Sequence, residues 1–253
     1  MSGAYSLLAE LITHNKPAAL ATAISGGVIG AKLVVSGGNS VGSIHPTIDA
    51  QVVAGALELL NAERNETRSY ELQGEQVEVF IEVFPPPQHL FIVGAVHVAI
   101  PLHRIAKMLG YHVTVIDARG ALASKERFPL ADAIVVEWPD DALSAASLDR
   151  GASVVVLTHD PKFDIPALLV AVQSGARYVG AIGSRTTNAE RRRALSEQGV
   201  SDEQIARIYA PVGLDIGART PSEIALAIMS EIVAVRYNRA GEHMRSRGMA
   251  GTG

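Results

Sequence analysis

The chain has 253 residues, enough for one large domain or two modest ones, and its 48% of hydrophobic against 19% of charged residues excludes a disordered chain. A balance of 22 basic against 26 acidic residues leaves a net charge of -4, which supplies no general basic field for a nucleic acid backbone. The chain contains no cysteine, which excludes disulfides, thiolate metal sites, a cysteine nucleophile and any persulfide carried on this chain.

From the start, Met1 to Tyr5 carries no basic flank before a hydrophobic stretch, so no secretory signal is read and a cytoplasmic protein is expected. No apolar run reaches the roughly 18 residues that span a bilayer, so no membrane span is expected. Residues Leu7 to His14 have helical spacing. Ala18 to Ser25 and Ala31 to Ser36 read as strands, with turns at Gly26-Gly27 and Gly37-Gly38. Asp49 to Glu63 is predicted helical, since Val52, Val53, Ala56, Leu59 and Leu60 make one apolar stripe. Val77, Val79, Ile81 and Val83 then alternate along a strand that ends at Phe84. Pro85-Pro86-Pro87 can continue neither a helix nor a sheet ladder, and the domain boundary is placed there. Residues 1–84 are expected to form a small α+β domain on a mixed sheet.

Beyond the prolines, strand and helix alternate. Short β-branched runs at Leu90–Val93, His112–Ile116, Ala133–Glu137, Ser153–Leu157, Arg177–Ile182 and Ala206–Ala210 are predicted strands. His97–Leu109, Ile165–Ser174, Asn188–Gln198 and Pro221–Arg236 are predicted helices, the last capped by Thr220 with Pro221 and Glu223 in its first turn. This rhythm predicts a Rossmann-like, doubly wound parallel sheet over residues 88–238, followed by a flexible tail over 239–253.

Ligands of such sheets bind outside the carboxyl ends of the strands, so the residues after each strand are the candidates for function. After the first strand, Gly94-Ala95-Val96-His97-Val98-Ala99 stands where a dinucleotide turn reads G-x-G-x-x-G/A. Gly94 and Ala99 fit, but Val96 puts a branched side chain where the second glycine would admit a pyrophosphate. Asp117 ends the next strand at the place of a ribose-binding carboxylate. The later strands lead into Thr158-His159-Asp160, Gly183-Ser184-Arg185 and the loop holding Gly213, Asp215 and Gly217. Gly183, Ser184 and Arg185 could grip a phosphate, and His159 beside Asp160 could move a proton. Plainer roles stand beside these: Thr158 or Asp160 as a helix cap, Arg185 in a local ion pair, the Gly94 turn as mere scaffold. Scattered histidines show no metal-ligand spacing, and Ser184 lacks a G-x-S-x-G context.

Together these motifs resemble the C-terminal domain of the XdhC/CoxI family, the maturation proteins of molybdenum hydroxylases such as xanthine dehydrogenase. The resemblance rests on the Gly94 turn, Val113 to Asp117, Arg127-Phe128-Pro129 with Ala131-Asp132, Thr158-His159-Asp160, Tyr178 to Arg185, Pro211 to Gly217, and Thr220-Pro221 with Glu223-Ile224-Ala225. The first domain is similar to the family at Gly30 to Val35 and Gly42-Ser43-Ile44. It departs from it at His45 to Asp49, where many members carry consecutive glycines and a cysteine, and in lacking an S-x-P-R segment before Gly30.

The resemblance implies binding of the molybdenum cofactor, its protection during sulfuration, and delivery to an apo-hydroxylase, in a homodimer or larger homo-oligomer. With no thiol in the chain, the sulfur would come from a separate cysteine desulfurase. The implied cofactor-binding set is Gly94, His97, Asp117, Thr158, His159, Asp160, Gly183, Ser184, Arg185, Gly213, Asp215 and Gly217. A carrier needs no catalytic residue and no metal ligand of its own. Two alternatives stay open: an NAD(P)-binding oxidoreductase using Asp117 and His159, and a scaffold that has lost its ligand.

Overall fold

The computed structural model describes residues 3–245. The chain divides into two compact units, one ending at Pro86 and the other beginning at Pro87. Of the tail expected over 239–253, residues 246–253 lie outside the described residues. Among the described residues, no helix is long and apolar enough to cross a membrane.

The first unit runs α1 (Gly3–Thr13), β1 (Ala18–Ala23), β2 (Lys32–Ser36), β3 (Asn39–Ser43), α2 (Asp49–Ala62), β4 (Glu66–Leu72) and β5 (Glu75–Phe84). Its strands lie in the order β3-β2-β1-β5-β4. Every pairing is antiparallel, which corrects the expectation of a mixed sheet. Strand β1 explains itself by period two. Ala19, Ala21 and Ala23 pack beneath Val52, Ala56 and Leu59 of α2, while Ala18 and Leu20 pack with Ala4 and Leu8 of α1. Helices on both faces leave Thr22 as the one polar position in that strand, and the rest reads as an apolar run. Strands β3 and β4 were not anticipated from the sequence. Strand β3 is exposed throughout and β4 is largely polar, because both are sheet edges with little apolar surface to bury.

The second unit runs β6 (His89–Val93), α3 (Ala99–Met108), β7 (His112–Ile116), β8 (Ala133–Val135), α4 (Pro139–Ala145), β9 (Ala152–Val156), α5 (Pro161–Gln173), β10 (Tyr178–Ala181), α6 (Arg185–Glu197), α7 (Asp202–Ala206), β11 (Ile208–Tyr209) and α8 (Pro221–Arg236). Its six strands are ordered β11-β10-β9-β6-β7-β8 and all pair in parallel. The chain starts in the middle at β6, winds outward to β8, then returns through β9 to wind the other way. The switch point therefore lies between β6 and β9. One face is filled by Phe91, Val93, Val154 and Val156 under α5, and the other by Ile92, Val113, Val115 and Val155 under α3 and α8.

Several boundaries differ from the sequence reading. The expected strand Ala206–Ala210 shrinks to Ile208–Tyr209, because Ser201 and Gln204 form a capping box that starts α7 and draws Ala206 into it. Helices α5 and α6 begin a turn earlier than their apolar stripes suggest, since Asp160 and Ser184 cap them from the strand ends. Helix α4 is seven residues long, too short to show a period.

Candidate functional site

At the switch point the two strand ends touch. Gly94 has a φ of +103°, and a Cβ there would lie 2.5 Å from Thr158 Cγ2 and 3.1 Å from its amide nitrogen. Glycine is thus required by the approach of β9 as well as by the turn. Val96 packs its side chain toward the apolar cluster beneath α3. His97 is exposed.

Asp117 is buried at the end of β7. It accepts from the Ala95 amide at 2.8 Å and from Arg119 through the amide at 3.0 Å, Nε at 2.9 Å and Nη2 at 2.8 Å. Burial works against its charge, but the Arg119 fork and the two amides outweigh it and hold the carboxyl below its usual range. Both oxygens are engaged inside the protein. The residue expected to meet a ribose instead pins the Gly94 turn to the end of β7.

The end of β9 is closed. The Thr158 hydroxyl donates to Asp164, and Asp164 pairs with Arg191; their side chains are only 1% and 5% exposed. Arg191 also donates to the carbonyls of Thr158 at 3.1 Å and Ile182, and to Asn188 Oδ1 at 2.8 Å. One guanidinium therefore ties the ends of β9 and β10 to α5 and α6, with its donors and the carboxylate satisfied together. Asp160 accepts from the Lys162 amide at 3.0 Å and caps α5. His159 beside it is exposed, and its imidazole has no hydrogen-bond partner among the described residues.

Sequence reasoning missed Arg191 and Asn188. The signal lay in their spacing: Asn188, Arg191 and Leu195 are the buried stripe of α6, while the neighbouring Arg192 and Arg193 look outward or along the surface.

The end of β10 is open. Gly183 has a φ of +133° and its carbonyl accepts from Asn188 Nδ2 at 3.2 Å. Ser184 caps α6, its Oγ accepting from the Thr187 amide at 3.1 Å. That leaves the Arg185 and Thr186 amides in the first turn without intrahelical acceptors. The Arg185 side chain is exposed, with no ion pair or hydrogen bond among the described residues. Beside it the loop after β11 is held by Gly213, whose amide donates to Glu231 at 2.9 Å while Glu231 also accepts from the Tyr178 hydroxyl. A Cβ on Gly213 would come within 3.2 Å of Ala227, so α8 and this loop lie in direct contact.

Arg185, Gly213, Leu214, Asp215, Ile216 and Ile224 line a cavity of about 360 Å³ at this end. The predicted residues thus fall into two groups. Gly94, Asp117 and Thr158 meet at the switch point as internal joints. Arg185, Gly213 and Asp215 share a cavity, flanked in the chain by Gly183, Ser184 and Gly217. His97 and His159 join neither. Among the described residues, no cluster of three or more His, Asp or Glu is placed to hold a metal ion.

The model of the XdhC Rossmann domain matches residues 90–232. An uncharacterized Escherichia coli protein, YqeB, is 32% identical over 169 residues, covering 66% of this chain and 31% of its own length. A Bacillus subtilis protein whose name describes it as a probable component of xanthine dehydrogenase is 30% identical over 162 residues, covering 64% of this chain and 47% of the relative. The Escherichia coli molybdenum cofactor insertion chaperone PaoD is 35% identical over 98 residues, 39% of this chain and 31% of its own. The matches thus span less than half the length of these relatives. A crystal structure from Bacillus halodurans, described as a xanthine dehydrogenase, aligns with 100% of this chain and 98% of its own at a TM-score of 0.53 and 21% identity, a likeness of fold.

Proposed function

The chain belongs to the XdhC family, whose Rossmann domain it carries over residues 90–232, and from that premise we propose that it is an accessory factor of a molybdenum hydroxylase. In this reading it binds the molybdenum cofactor at the open end of the second unit's rim and holds it for sulfuration and insertion. The names of two relatives, a cofactor insertion chaperone and a component of xanthine dehydrogenase, support the accessory role.

The observation that carries the reading is the unpaired Arg185 at the mouth of the cavity formed with the Pro211–Ala218 loop. A phosphate-bearing pterin presents one strong anion and a rim of donors and acceptors. The residues fit both. Arg185 can fork onto two phosphate oxygens, and the Arg185 and Thr186 amides point the positive end of α6 at the same place. Asp215 supplies an acceptor beside it, while the amides of Val212, Gly213, Leu214 and Ile216 are already committed within the protein. The bound cofactor would supply molybdenum redox chemistry to the client enzyme; this chain orients it and keeps water from part of its surface. With no cysteine in the chain, the sulfur atom must come from a thiol-bearing partner such as a cysteine desulfurase. A homodimer or larger assembly belongs to the same proposal.

An oxidoreductase using NAD(P) has no comparable observation behind it. Asp117 is committed to Arg119 and Ala95, and Asp160 caps α5 rather than orienting His159.

Purification from a host that makes the cofactor tests the reading. Oxidised pterin should be released from the protein in near-stoichiometric amount, and Arg185→Gln should lower retention about 10- to 100-fold, the effect of one charged hydrogen-bonded contact. Absence of pterin together with no association with any molybdenum hydroxylase would refute it.

A further inference from the structure

A second group of side chains stands on the same edge of the sheet, over β7 and β8. Trp138 is the single tryptophan of the chain, and it is 50% exposed at the start of α4. Its ring lies against Phe163 in the first turn of α5, with centroids 5.0 Å apart and planes inclined by 35°. The Arg119 guanidinium sits 5.8 Å from the Phe163 centroid. Neither ring belongs to the apolar clusters that fill the two faces of the sheet. A Cβ on Gly120 would lie 3.4 Å from Val136, so the loop bearing Arg119 runs directly beside the residues leading into Trp138.

The chemistry of this group is that of a flat surface. Two nitrogens of Arg119 are fixed on Asp117, so its plane is set and its charge is balanced. It offers a π face rather than a free cation. Acidic residues adjoin the rings in the chain: Glu137, Asp140 and Asp141 next to Trp138, and Asp160, which lies three residues before Phe163 and acts electrostatically on Arg119. Such surroundings repel a phosphate and accept hydrogen bonds from amino groups. Bases stack on aromatic rings and on guanidinium planes in the same way wherever they are bound.

We infer that Trp138, Phe163 and Arg119 form a stacking platform for a planar, amino-substituted nitrogen heterocycle, carried by a pterin or by the base of a nucleotide. The pterin arm rests on the proposed function; the nucleotide arm does not.

Because Trp138 is the only tryptophan, its fluorescence reports on the platform alone. The protein is titrated with neopterin, with AMP, CMP and UMP, and with inorganic phosphate, correcting for ligand absorbance. Saturable quenching is expected from neopterin, or from AMP and CMP more strongly than UMP, and none from phosphate. Phe163→Ala should weaken the effective ligand about 5- to 150-fold, the range for loss of one stacked base. Trp138→Phe, followed by calorimetry, should keep most of the affinity while Trp138→Ala loses it, which separates stacking from mere folding. Quenching by phosphate alone, or no quenching by any ring, would overturn the platform, as would a tryptophan shift seen only on adding a client enzyme. Retention of pterin in the purification assay with no response at Trp138 would leave the cofactor reading standing and remove this one.

Discussion

The ends of β9 and β10 are neighbours on one sheet edge and carry similar residues, yet they use them in opposite ways. After β9, a carboxylate and a guanidinium are buried against each other, with a threonine, an asparagine and two carbonyls satisfying what remains. After β10, a guanidinium stands exposed and unpaired beside a cavity. A buried ion that is fully hydrogen-bonded is a joint, since it has no valence left for a ligand. An exposed one with open helix amides beside it is available. Residue type alone therefore says little about which strand end serves a ligand; the number of donors and acceptors already satisfied decides it.

The sharpest way to break this contrast is to remove the joint. Arg191→Met leaves Asp164 buried without its partner and should cost about 3–5 kcal/mol in urea denaturation. Adding Asp164→Leu should recover much of that loss, since an apolar pair needs no solvation; failure to recover would mean that the carbonyls of Thr158 and Ile182 depend on the guanidinium more than Asp164 does.

Gly94→Ala comes next in size. Its Cβ would collide with the Thr158 methyl and must also adopt a φ near +103°, so a loss of about 1–3 kcal/mol is expected. Pairing it with Thr158→Ser removes the methyl and should return only the steric part, which a double-mutant cycle measures.

Acid should act at the opposite edge of the sheet. Burial, and then the neighbouring His112, push His89 down to about 4. The unfolded imidazole titrates near 6.5. The folded state therefore binds the proton less readily, so stability is whole above about pH 6.5 and falls as pH drops toward 4. The slope contributed by this residue is at most ~1.4 kcal/mol per pH unit. His89→Gln should flatten the pH dependence of unfolding over that window without altering either strand end.

The smallest effect on stability belongs to the open side. Arg185→Ala should change unfolding by no more than about 0.5 kcal/mol while abolishing most anion affinity, seen by calorimetry with pyrophosphate. A large loss of stability would show that Arg185 is a joint after all.

Much of the second unit was legible in the sequence because a parallel sheet needs short β-branched runs and helical crossovers, and these leave a rhythm. Helix α8 was readable to its ends, since Thr220, Pro221 and Glu223 write the cap into the chain. The edge strands β3 and β4 were not readable, because they bury too little to show a pattern. Arg191 was hidden in a run of three arginines that reads as a solvated helix face. Trp138 and Phe163, 25 residues apart, become one surface only when α4 and α5 pack side by side.

The sequence by itself determined the class of fold, the family motifs of the rim and the absence of any thiol chemistry in the chain. Those are set by local propensity, periodicity and composition, which each residue carries with it. Only the tertiary structure decided that Asp117, Thr158 and Asp160 serve as internal partners while Arg185 stands free. The physical reason is that a polar group's role depends on burial and on which other groups reach it, and both are properties of the packed strand ends.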